Sequence, residues 1–187
     1  MKNKWVILLL IGLVGFGLYI MAGNSFDKIA GKSPVADSSA TQPVTGLQKG
    51  NLAPDFELVT TEGKHVKLSE LRGKRLIVNM WATWCPPCKA EVPELERFYE
   101  EHHSEGIEIL AVDLTKSEKR PGDVATFIKD YKITYQVALD EQGEVSQKYQ
   151  VTSIPTTYVI NSEGIIQQKQ VGPLSYQSLT EIFARMN

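Results

Sequence analysis

The feature that most constrains this chain is where its only two cysteines fall. Residues 75–82, RLIVNMWA, make a nearly continuous apolar run, the pattern of a strand buried on both faces. Thr83 and Trp84 follow, and then Cys85-Pro86-Pro87-Cys88. The two prolines suit the first turn of a helix, where a missing N–H costs no hydrogen bond. Beyond them Val92, Leu95, Phe98 and Tyr99 recur at helical spacing as far as His103, with Pro93 expected to kink the helix. A dithiol at such a strand–helix junction can close a small redox disulfide. The positive end of the helix favours a thiolate on the first sulfur, so Cys85 is the candidate nucleophile. Cys88, one turn further in and expected to be the more shielded, is the candidate resolving thiol.

Two plainer readings stand beside this one. Two cysteines are too few to staple a secreted scaffold or to build a zinc site from thiolates alone, but they can form an inert structural disulfide. A metal site would need His102 and His103 in addition. Adjacent helix positions point about 100° apart and cannot both face one ion, so no metal is expected. Both histidines read instead as a solvated helix end, where positive charge complements the dipole. No cofactor is expected beyond the Cys85–Cys88 pair itself. Because Pro86 and Pro87 offer no N–H to a Cys85 thiolate, the thiol should be less acidic than in a motif with ordinary residues there. That points to a reductant rather than an oxidant.

The other elements follow from periodicity. Segments 55–60 and 65–68 flank the turn 61–64 as an amino-terminal hairpin. Residues 107–114 and 135–140 read as further strands, and 121–132 as a helix with Val124, Phe127, Ile128 and Tyr131 on one face. A short helix is expected from Val145 to Tyr149. Segments 156–160 and 165–171 make a hairpin around Asn161-Ser162-Glu163-Gly164, and a helix from Tyr176 to Met186 closes the chain. This order predicts a layered α/β domain with parallel strands first and an antiparallel edge last.

Ahead of this domain, Trp5 to Ala22 contains no charged side chain over 18 residues, about the length of a membrane-spanning helix. Ile20 and Met21 do not make a small-x-small cleavage site, so a retained single-pass signal-anchor is favoured over a cleaved signal. Lys2 and Lys4 place the tail 1–4 in the cytoplasm and the bulk of the protein outside it. Residues 23–48, rich in Ser, Ala, Gly, Thr and Pro, read as a flexible tether, and 49–187 as the folded domain. A composition of 42% hydrophobic and 22% charged residues excludes a wholly disordered or fibrous chain. The net charge of −2 without a basic cluster excludes a nucleic-acid partner.

The stretch APDFELVTTEGKHVKLSELRGKRLIVNMWATWCPPCKAEVPEL, with TSIPTTYVI downstream, resembles the membrane-tethered thiol–disulfide oxidoreductases of the ResA and TlpA type, within the redoxin family. The resemblance covers about residues 49–187. It implies a thioredoxin fold: an α/β domain with a central mixed sheet, helices on both faces and an added N-terminal hairpin, here preceded by one transmembrane helix. It implies a cis peptide bond between Ile154 and Pro155, lying against the dithiol, and a substrate surface formed by Trp84, Pro86, Ile154 and Pro155. Thioredoxins proper keep an aspartate six residues before the first cysteine, where this chain has Asn79. Glu91 matches a glutamate near the dithiol in relatives of the ResA type. Two readings of it stand: a carboxylate that relays a proton to Cys88, or a glutamate that complements the helix dipole.

The function expected is therefore reduction of protein disulfides outside the cytoplasm, on clients such as apocytochrome c or spore-envelope proteins. Electrons would come from a membrane thiol carrier of the CcdA type. One alternative is a thiol peroxidase of the redoxin group, although Val78 and Ala82 stand where peroxiredoxins carry Pro and Thr. Another is a non-redox module that binds clients beside Pro155.

Overall fold

The computed structural model describes residues 43–120 and 122–186. Seven strands form one sheet: β1 (Glu57–Thr60), β2 (His65–Lys67), β3 (Arg75–Trp81), β4 (Ile107–Asp113), β5 (Gln136–Leu139), β6 (Thr156–Ile160) and β7 (Ile166–Val171). Their spatial order is β2-β1-β5-β4-β3-β6-β7. Strands β3, β4 and β5 run parallel, whereas the pairings β3–β6 and β6–β7 on one side and β5–β1 and β1–β2 on the other are antiparallel. The sheet is thus mixed, and the amino-terminal hairpin joins it through β5. The expectation of parallel strands first and an antiparallel edge last holds, and the edge is doubled because the hairpin adds a second one.

Four helices cover the sheet: α1 (Pro86–His102), α2 (Asp123–Tyr131), α3 (Glu144–Lys148) and α4 (Tyr176–Ala184). The helix α1 continues through Pro93, whose missing N–H removes one bond to the preceding turn. Alternation along β3 divides the core. Leu76, Val78 and Met80 face one side with Phe56, Val66, Val145 and Tyr149. Ile77 and Trp81 face the other with Val92, Leu95 and Phe98 of α1, Phe127 of α2, and Leu179 and Phe183 of α4. Helices therefore lie on both faces, with α1, α2 and α4 on one and the short α3 on the other. Asn79 falls on the α1 face between Ile77 and Trp81, which decides what it can touch.

The register orients the sheet. Met80 pairs with Thr156 near the end of β3 that leads to Cys85, and Leu76 pairs with Ile160 at the opposite end. At that opposite end the β6–β7 turn closes with Gly164 at φ +87°, a conformation glycine adopts without steric cost. The entering chain docks there: Gly50 N–H donates to Ile166 O, Ile166 N–H to Asn51 O, and Ala53 N–H to Gly164 O. Earlier still, Gly46 N–H bonds to Leu52 O and Leu47 packs on the core, so the last residues of the expected tether belong to the folded unit. The expected anchor 5–22 and most of the tether lie outside the described residues. Among the described residues no helix is long and apolar enough to cross a membrane.

One of the two histidines differs from the expected solvated helix end. His103 is exposed and its Nδ1 lies 3.0 Å from Tyr99 O. His102 is half-buried, its ring tilted against Phe98 at 4.6 Å and stacked on Tyr176 of α4 at 6.5 Å, and it sits 3.3 Å from Glu105. The helix end is therefore packed on one side, because the position after Phe98 and Leu95 still faces α4.

Candidate active site

The strand β3 delivers the chain to the site and α1 begins at once. Cys85 caps α1, with Pro86 and Pro87 in the first turn, and the sulfur of Cys85 accepts the N–H of Cys88 at 3.3 Å. That amide is the first one available, since neither proline carries a hydrogen. The two cysteines form a disulfide across a Cα–Cα distance of 5.3 Å, so the structure describes the oxidised form. Both are only 2% exposed. The expected difference in shielding is absent in this disulfide form. Position still separates them, Cys85 at the cap and Cys88 one turn inside.

Around the disulfide the surface is apolar and partly open. Trp84 is 41% exposed, its indole N–H held by Ser117 O at 3.0 Å, and Pro86 and Pro87 are exposed beside it. Across the sulfur lies Ile154, whose carbonyl oxygen is 3.7 Å from Cys85 Sγ, followed by a cis bond to the buried Pro155. All four residues expected to form a substrate surface thus meet at the cysteines.

Beneath the disulfide is a buried polar group. Glu91 lies three residues beyond Cys88 on the same face of α1 and is 2% exposed. One carboxylate oxygen accepts Leu174 N–H at 2.8 Å and the other accepts the side-chain amide of Asn79 at 3.1 Å. The same Asn79 nitrogen donates to Thr157 Oγ1 at 3.0 Å. Burial pushes the Glu91 carboxyl up to about 7, against the opposing pull of these two donors. A carboxyl at that value gains and loses a proton near neutrality, as a general acid–base must. A glutamate serving only the helix dipole would sit exposed, which this one does not.

A second acidic pair lies on the other side of the turn. Glu118 accepts both the N–H and the hydroxyl of Thr83, two residues before Cys85. Asp113, at the end of β4 and fully buried, is pushed up to about 8, first by burial and then by Glu118 and Asp140. The sequence reading missed Thr83, Asp113, Glu118, Thr157 and Leu174. Only Asp113 carried a signal, a charge closing an apolar strand.

A mixed sheet with a helix-capping CxxC disulfide set against a cis-proline defines the chain as a thioredoxin-like thiol–disulfide oxidoreductase. Comparison with known proteins agrees. Residues 49–169 match the AhpC/TSA family, and the chain belongs to that family. It is 30% identical to the thioredoxin-like protein YneN of Bacillus subtilis over 97% of each chain. It is 38% identical to the thiol-disulfide oxidoreductase ResA of Bacillus subtilis, over 69% of this chain and 70% of that one. The crystal structure of StoA from Bacillus subtilis superposes with a TM-score of 0.63 and 34% identity, covering 70% of this chain and 96% of that one.

Proposed function

We propose that this oxidoreductase works as a reductase of protein disulfides on the outer side of a membrane, held there by the helix 5–22. The observation that carries the redox part is the Cys85–Cys88 disulfide at the α1 cap, with Glu91 buried on the same helix face. In the reduced form the Cys85 thiolate attacks one sulfur of a client disulfide, and the other client sulfur leaves as a thiolate. Cys88, giving its proton to Glu91, then attacks Cys85 Sγ. The Cys85–Cys88 bond forms, the mixed disulfide breaks, and the second client thiolate departs. Two electrons have passed to the client, so the dithiol must be restored by a two-electron thiol donor, for which a membrane carrier of the CcdA type is our candidate. Trp84, Pro86, Ile154 and Pro155 form the surface that receives the client backbone. Apocytochrome c and envelope or spore proteins are the proposed clients. The peroxidase alternative draws no support from the site, since Val78 and Ala82 are apolar and fully buried.

The test is Cys88→Ala in the native host. It keeps the nucleophile and removes the resolving thiol, so reducible adducts on Cys85 should accumulate and vanish in the Cys85→Ala, Cys88→Ala double variant. Mass spectrometry of the adducts names the client. Adducts trapped by Cys85→Ala instead would reverse the two assignments. Protease protection in spheroplasts, with the mature amino terminus sequenced, tests the topology: a protected domain or a terminus beyond Ala22 overturns it.

A further inference from the structure

Asn79 reaches two partners through one atom. Its Nδ2 lies 3.1 Å from Glu91 Oε2 and 3.0 Å from Thr157 Oγ1, while its Oδ1 makes no hydrogen bond among the described residues. All three side chains are buried, at 2% exposure for Glu91, 3% for Asn79 and none for Thr157. This arrangement suits an ionised Glu91, which only accepts. It does not suit the neutral acid. The Leu174 N–H on Oε1 is a backbone donor and cannot turn round, so Oε2 is the oxygen on which a proton meets a side chain able to turn and accept it. There it would face the Asn79 N–H, donor against donor, among buried side chains.

We infer that the side-chain amide of Asn79 reverses as Glu91 gains or loses its proton, making Asn79 a positioning residue that pairs with the carboxyl in both states. Nitrogen and oxygen of an amide are nearly equal in size, so a half-turn exchanges them without repacking. After it, Oδ1 sits where Nδ2 sat and has two lone pairs for two donors, Glu91 Oε2–H and the Thr157 hydroxyl. A hydroxyl can serve either way, since its hydrogen rotates between accepting and donating arrangements. The reversal breaks the two bonds made by Nδ2 and remakes both through Oδ1. An aspartate at this position, the residue of thioredoxins proper, has no such second face. The other groups that meet Glu91 are Cys88 on its own helix face and Tyr135 from the segment before β5, which lies within its electrostatic reach. The value of the device to the reaction rests on the reading of Glu91 as the proton acceptor for Cys88.

The test uses the oxidised full-length protein in detergent micelles, labelled with nitrogen-15 at asparagine and carbon-13 at glutamate. The nuclear Overhauser contact between the Asn79 amide protons and the Thr157 methyl should be present at pH 9 and lost at pH 5. Its midpoint should coincide with that of the Glu91 carboxyl. A contact unchanged across that range while Glu91 titrates overturns the inference. In Asn79→Leu, similar in volume but without donor or acceptor, the Glu91 midpoint should rise by about one pH unit, because the bond lost is charge-assisted. An unmoved midpoint removes Asn79 as a positioning residue. Iodoacetamide alkylation of the reduced variant separates the two claims: if the Glu91 midpoint moves and the thiol profile does not, the amide reversal stands and the proton relay falls.

Discussion

Replacing Glu91 by glutamine removes one buried ionisation and little else, and its effect on stability can be worked out in advance. The carboxyl goes from 4.5 in an open chain to about 7 in the fold, and burial is the largest cause. At about 1.4 kcal/mol per pH unit this is about 3 kcal/mol of linkage. The sign follows from where the proton is held. The folded state binds it more tightly, so the contribution is fully present below pH 4.5 and is lost as the pH rises through 7. The wild type should therefore weaken over this window by about 3 kcal/mol through Glu91 alone, whereas Glu91→Gln, neutral throughout, should not. Urea unfolding of the oxidised proteins at pH 5, 6, 7 and 8, followed by tryptophan fluorescence, gives the difference between the two. Taking the difference cancels groups common to both, Asp113 among them. Parallel profiles would refute the reasoning, since they would mean that Glu91 titrates alike in the folded and unfolded chains.

Phe98 is 1% exposed and meets Phe183 of α4 with ring centroids 5.2 Å apart, so Phe98→Ala should cost about 3–5 kcal/mol in urea unfolding while the Cys85–Cys88 disulfide still forms. Asp113, pushed up to about 8 chiefly by burial, should add a second loss of stability as the pH rises from about 4 through 8. Asp113→Asn should flatten that part of the profile, and its gain over wild type should be larger at pH 9 than at pH 5.

The parts legible in the sequence were those set by local physics. The run 75–82 read as a buried strand and Pro86-Pro87 suited the first turn of a helix, so the position of Cys85 at the cap followed from the order of residues. Glu91 was legible as a candidate only through the resemblance to relatives of the ResA type, with Asn79 standing where thioredoxins keep an aspartate. Its partners were not. Leu174 is 83 residues away and contributes only its backbone N–H, which every residue except proline possesses. Thr157 lies in an apolar strand where threonine is an ordinary choice. Glu118 was equally silent, since a polar stretch after a strand reads as a loop whether or not one of its carboxylates grips Thr83. The packed side of His102 depended on the approach of α4, which no local pattern encodes.

The docking of residues 50–53 at the β6–β7 turn has a consequence for handling the molecule. That turn sits where Leu76 pairs with Ile160, while the disulfide follows the opposite end of β3, past the pairing of Met80 with Thr156. Residues 50–53 and the dithiol thus occupy opposite poles of the sheet. A chip, bead or electrode coupled through Lys49, exposed beside residues 50–53, leaves the exposed Trp84 on the side away from the support, which suits redox titration on an immobilised monolayer. Coupling through Lys89, exposed one residue after Cys88, would bury the same face against the support.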